Sequence, residues 1–171
     1  MIHSDGFRAL DRQECLRLLG KVPVGRVVYT RQALPAVLPV NFSLDTDGAV
    51  VLCTSAQSDL VRAVDGVVVA FEADDFQGGR RSGWSVVVTG RAAVVSDPAD
   101  HERLLRTGPR SWMPMRDGVF VRIGGEMVTG RELTGGADRP RPPCGWSAVS
   151  TPLRRTAGRV TYGTACDRPH A

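Results

Sequence analysis

Lysine is nearly absent. Lys21 stands alone among 22 basic residues in a chain of 171, and it falls at the end of a helical stretch beside Pro23, a place that suits solvation rather than a Schiff base. The cysteines, Cys15, Cys53, Cys144 and Cys166, form no Cys-x-x-Cys pair and no regular ladder, so neither a zinc site nor a disulfide framework is indicated. Histidine is confined to His3, His101 and His170, too scattered to ligate a metal or to serve a Ser or Cys triad. The P-loop and the G-x-G-x-x-G turn are both missing, and Gly83-Trp84-Ser85-Val86-Val87 lacks the second glycine of a nucleophile elbow. An enzyme built on this sequence would therefore draw its reactive group from a cofactor. No apolar run approaches the roughly 18 residues of a membrane span, and Met1 to Gly6 lacks the grammar of a signal peptide, which together predict a cytoplasmic protein.

What is present is the balance of a globular protein, 42% hydrophobic and 23% charged. The net charge of +4 is carried by the C-terminal end, where Arg139, Arg141, Arg154, Arg155, Arg159 and Arg168 face only Asp138 and Asp167. Residues 1–134 are electrically neutral and lack the counterion-releasing surface that drives nucleic-acid binding. From Thr134 the text becomes rich in Gly, Pro and Arg without apolar periodicity. Residues 1–134 thus read as one domain and 135–171 as a disordered tail, with electrostatic tethering of an acidic partner as its functional alternative.

Leu10 to Lys21 reads as a helix with Asp11 and Glu14 as a capping box. Six β-branched runs follow: Val24–Thr30, Ala36–Leu44, Ala49–Thr54, Val67–Ala73, Trp84–Val95 and Val119–Ile123, the last with a possible continuation to Arg131. Thr46-Asp47-Gly48 marks a hairpin. Ser58–Val64 and Pro98–Arg106 have room for short helices, capped by Ser58 and Asp97. Six strands, few helices and short connections predict a mainly β fold, a closed or nearly closed barrel, with Gly90 as the bend in an overlong fifth strand.

Three segments can carry chemistry. Pro35 and Pro39 interrupt an apolar strand and place Pro39 at an edge or a split, leaving backbone groups at Val40, Asn41 and Phe42 free for a ligand; an ordinary edge strand reads the same way. Thr54, Ser55 and Ser58 offer three hydroxyls at a helix start, suited to a phosphate or to a solvated, capped turn. Trp84, with Ser85 beside it, can cover a planar ligand, plug a dimer interface or simply pack in the core. Arg80 and Arg81, in the glycine-rich loop before that strand, could reach an anion but suit solvation equally.

The order Gly25-Arg26-Val27, Leu38-Pro39-Val40-Asn41-Phe42, Val51-Leu52-Cys53-Thr54-Ser55, Ser58-Asp59-Leu60, Val69-Ala70-Phe71-Glu72, Gly83-Trp84-Ser85 through Gly90-Arg91-Ala92 and Val121-Arg122-Ile123 resembles the pyridoxamine 5'-phosphate oxidase-like flavin-binding split-barrel proteins, from about residue 7 to residue 133. The resemblance implies a six-stranded split β-barrel, a homodimer holding two FMN molecules between subunits, and hydride transfer at flavin N5 to or from a small molecule. It implies that Val40, Asn41 and Phe42 run along the isoalloxazine, that Thr54, Ser55 and Ser58 lie near the phosphate, and that Trp84 and Ser85 meet the cofactor site. Where many relatives carry Lys or Arg, this chain reads Ser55-Ala56-Gln57-Ser58, which leaves deazaflavin, haem or a non-catalytic binding or sensing module as alternatives. The C-terminal arginine-and-histidine signature of the true pyridoxamine phosphate oxidases has no counterpart, so vitamin B6 synthesis is not implied, and no catalytic acid or base is assigned.

Overall fold

The computed structural model describes residues 7–112 and 116–134. The elements are β1 (Phe7–Leu10), α1 (Arg12–Leu19), β2 (Val24–Arg31), β3 (Leu34–Leu44), β4 (Val50–Ser55), α2 (Asp59–Val64), β5 (Val68–Gln77), β6 (Ser82–Val94), α3 (Pro98–Thr107), β7 (Gly118–Ile123) and β8 (Met127–Leu133). The tail expected at 135–171 lies outside the described residues.

The capping box forms as the sequence predicts. Asp11 accepts from the Glu14 N–H at 2.8 Å, and the Glu14 carboxylate accepts from the Asp11 N–H at 3.0 Å. The helix starts later than expected because Phe7–Leu10 is a strand, paired with β8. Arg8 joins the two elements to the helix, at 2.9 Å from Glu14 and 2.7 Å from Glu132. At the other end the possible continuation of the last strand breaks at Gly124-Gly125, and β8 is a separate strand.

The strand order is β1-β8-β6-β5-β2-β3-β4-β7, all antiparallel, and β7 returns to β6. Six strands therefore close into the predicted barrel, while β8 and β1 form a wing on β6. Closure depends on two strands that change partners part-way. β6 pairs with β8 from Gly83 to Thr89 and with β7 from Ala92 to Val94, and the change falls at Gly90, where a Cβ would overlap the Gly124 carbonyl. β3 pairs with β2 from Leu34 to Asn41 and with β4 only from Phe42 to Leu44.

Alternate residues of each strand fill the barrel: Val27, Phe42, Leu52, Phe71, Trp84, Val86, Val88, Val121 and Ile123 are buried in one core. The same core receives Cys15, Leu18 and Leu19 from α1 and Leu60 and Val64 from α2. α3 lies on the other face of β4 and β7, where Leu104 packs on Val51 and Phe120. Arg103 fastens it by two bonds to Asp45, at 2.9 and 3.0 Å, and the Asp45 side chain is only 8% exposed. Arg103 holds the Asp45 carboxyl below its ordinary pKa. The stability this contributes is present in full above the unfolded value near about 4 and is lost as pH falls through the lower folded value. Asp45→Ala is expected to cost about 2 kcal/mol at neutral pH and to flatten the acid limb of the stability profile, read by urea unfolding at a series of pH values.

The β2–β3 turn places Gln32 at φ 50° and Ala33 at φ 63°. A two-residue hairpin whose central positions are both left-handed favours Asn and Gly. Ala33→Gly is expected to stabilise the protein by about 1 kcal/mol, seen as a higher urea midpoint with unchanged slope.

Candidate functional site

The change of partner in β3 opens the barrel. Leu52 faces Phe42 in register, but no ladder joins Cys53, Thr54 and Ser55 of β4 to the preceding residues of β3. β4 meanwhile stays paired with β7 on its other edge through Ser55. A split results, with Val40 and Asn41 on one lip and Thr54 and Ser55 on the other, and Ser58 at the start of α2 continuing the second lip. Pro39 sits on this free edge, pairing with Arg26 on the β2 side only, as expected of a residue without an N–H.

Five of the predicted site residues thus come together. The Thr54 hydroxyl donates to the Ser58 hydroxyl at 3.3 Å, and Ser58 also accepts the Val61 N–H at 3.3 Å, capping α2. Ser55 donates to Asp117 at 2.9 Å and accepts the Gln57 N–H at 3.2 Å. Asn41 spans the other lip: its amide donates to the Pro23 carbonyl at 3.4 Å and its oxygen accepts the Trp112 N–H at 3.2 Å.

Phe42 and Trp84 are placed differently. Phe42 points inward and packs its ring on Phe71, centroids 4.6 Å apart, and its backbone N–H is engaged by the Pro23 carbonyl at 3.3 Å. Trp84 is 7% exposed and belongs to the barrel core. Ser85, its neighbour along the strand, faces the opposite side and donates to Glu72 at 3.3 Å. Glu72 shares Arg26 with Asp74, at 3.0 and 2.5 Å, in a charged row on the outside of β2 and β5. The side chains of Trp84 and Ser85 therefore lie on opposite faces of β6. Arg80 and Arg81 lie in the exposed β5–β6 turn and form no ion pair among the described residues.

The split also recruits residues that the sequence reading did not single out. Arg31, at the end of β2, reaches Asp59 in the first turn of α2 at 2.7 Å, and Arg62 donates to the Gln57 carbonyl at 2.8 Å. Two guanidinium groups therefore stand beside the Ser58 end of the split. Trp112 and Asp117 come from the segment between α3 and β7, which has no periodic pattern and carries no motif. Among the described residues no group of His, Cys, Asp or Glu could hold a metal ion.

The family model for pyridoxamine 5'-phosphate oxidase matches residues 11–132. A protein of Mycobacterium tuberculosis, the uncharacterized protein Rv0080, is 47% identical over 139 residues, 77% of this chain and 88% of its own length. Among solved structures, a putative pyridoxamine 5'-phosphate oxidase from Corynebacterium glutamicum is 32% identical with a TM-score of 0.64, covering 79% of this chain and 99% of that one. The FAD binding protein from Mycobacterium smegmatis is 31% identical with a TM-score of 0.58, covering 74% of this chain and 97% of that one.

Proposed function

The chain belongs to the pyridoxamine 5'-phosphate oxidase-like split-barrel family, and we propose that it is a cytoplasmic, flavin-dependent oxidoreductase acting on a small molecule as a homodimer with two FMN molecules between the subunits. The observation that carries this reading is the split itself: an apolar and amide-bearing lip at Val40 and Asn41 opposite a hydroxyl-bearing lip at Thr54, Ser55 and Ser58. A planar ring with an anionic end matches that division. Val40 offers the ring an apolar edge and Asn41 an amide, while the three hydroxyls, with Arg31 and Arg62 beside them, receive the anion. The FAD bound by the similar protein from M. smegmatis has the same tricyclic head, so FAD is the competing nucleotide.

Pairing of two barrels is supported by the outer faces. Val68 is 52% and Met127 55% exposed, and Leu34, Val37 and Leu38 are exposed on β3. No helix of the described residues is long and apolar enough to cross a membrane. When bound, a flavin supplies hydride transfer at N5; the protein's part is to hold the ring edge at Asn41 and to exclude water with Val40 and the apolar strand around it.

Protein purified from cells and then denatured is expected to release one flavin per subunit, identified as FMN by mass spectrometry, and to elute as a dimer in its native state. A colourless protein that takes up neither FMN nor FAD would reject the proposal. Reoxidation of the reduced holoprotein by at least one of a panel of acceptors separates an enzyme from a binding or sensing module.

A further inference from the structure

A second cavity, of about 520 Å³, lies under α3 on the opposite face of β4 from the barrel interior. Its floor is apolar: Leu104 and Phe120 are buried there, with the half-buried Cys53 thiol between them. The ring of His101 meets Phe120 edge-on with centroids 5.3 Å apart and forms one wall. Burial pushes the Cys53 thiol up, so it stays neutral and behaves as part of the apolar surface.

The rim has the opposite character. Arg110 and Arg116 line it, and among the described residues no aspartate or glutamate does. Nearby arginines are neutralised, Arg103 by Asp45 and Asp100, Arg106 by Glu102, and Arg122 by Asp45 and Asp47. Arg110 and Arg116 have no carboxylate partner among the described residues, and Asp117, the nearest acid in sequence, is taken by Ser55. An apolar floor with two uncompensated guanidinium groups at its mouth suits a ligand that is flat and apolar at one end and anionic at the other, and the volume is in the range of about 300 to 1,000 Å³ usual for small-molecule sites.

We infer that this cavity between α3 and the β4–β7 pair is a second ligand site, independent of the flavin reading, which takes a small aromatic carboxylate with its ring on Phe120 and Leu104 and its carboxylate on Arg110 and Arg116. Trp112, close to Arg110, donates its N–H to Asn41, and Asp117, next to Arg116, accepts from Ser55, so residues beside both arginines reach the lips of the split.

The test is a calorimetric titration of the full chain with 2-naphthoate and, separately, with neutral 2-naphthamide. One saturable naphthoate site per subunit is expected. The double variant Arg110→Gln, Arg116→Gln, checked for folding by circular dichroism, is expected to bind naphthoate at least about tenfold more weakly, with naphthamide binding unchanged. Absence of saturable naphthoate binding to the natural chain, equal binding by the double variant, or displacement of naphthoate by FMN would each overturn the assignment. Because the titration reads naphthoate heat and not flavin absorbance, a chain that binds no flavin can still pass it.

Discussion

Gly90→Ala is expected to unfasten the barrel, lowering stability by about 3 kcal/mol or more, because it sets a Cβ on the carbonyl oxygen of Gly124. The clash is with backbone, which has no rotamer to change. Gly124 is itself held by its N–H to the Arg91 carbonyl at 3.0 Å, immediately where β6 leaves β8 for β7. The only remedies are to push β7 away, which breaks the Ala92–Ile123 to Val94–Val121 ladder, or to unfold the bend. Urea unfolding reads the loss, and hydrogen exchange localises it: the amides of Ala93 and Val95, which face β7, should lose protection before those of β5, while Ala92 and Val94 donate instead to Val67 and Asp65. Gly78→Ala is the control, since a Cβ there meets nothing within 4 Å. It should move stability by no more than about 0.5 kcal/mol. Equal effects at both positions would mean that the cost comes from chain entropy and not from the close approach.

The same residue shows what was legible in the sequence. Gly90 inside an overlong β-branched run announces a bend, and Pro39 inside another announces a free edge, because each removes a group that an ordinary ladder requires. The barrel and its split follow from those two residues together with the alternation of the strands. β1 was not legible: Phe7–Leu10 is too short to show a period, and it is held by pairing with β8 and by the Arg8 contact to Glu132, which join residues far apart in the chain. Five of the proposed ligand residues lie on the two lips because they sit on or beside the strand that changes partner. The Phe42 and Trp84 side chains turn inward, and a run of apolar residues on both faces of a strand gives no signal for which of them a barrel will bury. Arg31, Trp112 and Asp117 reach the split from three separate segments and carry no spacing that the sequence could display.

Thr54→Val with Ser55→Ala is expected to weaken FMN binding about a hundredfold while leaving riboflavin binding nearly unchanged. If the second lip holds an anion, the hydroxyls of Thr54 and Ser55 contribute charge-assisted hydrogen bonds, each about 1.5 kcal/mol or more, that a ligand without phosphate never makes. The pair is chosen to spare the fold. Valine keeps the shape of threonine on a β-branched strand, and Ser58, left in place, still accepts the Val61 N–H and caps α2. Ser55→Ala does release Asp117 and the Gln57 N–H, both exposed, so thermal stability should fall by only a few degrees. The ratio of the FMN to the riboflavin dissociation constant, measured by flavin fluorescence on the refolded apoprotein, separates the two roles. A parallel loss for both ligands would show that the substitutions had deformed the split, and no loss for either would place the anionic end elsewhere, with Arg31 and Arg62 as the next residues to replace.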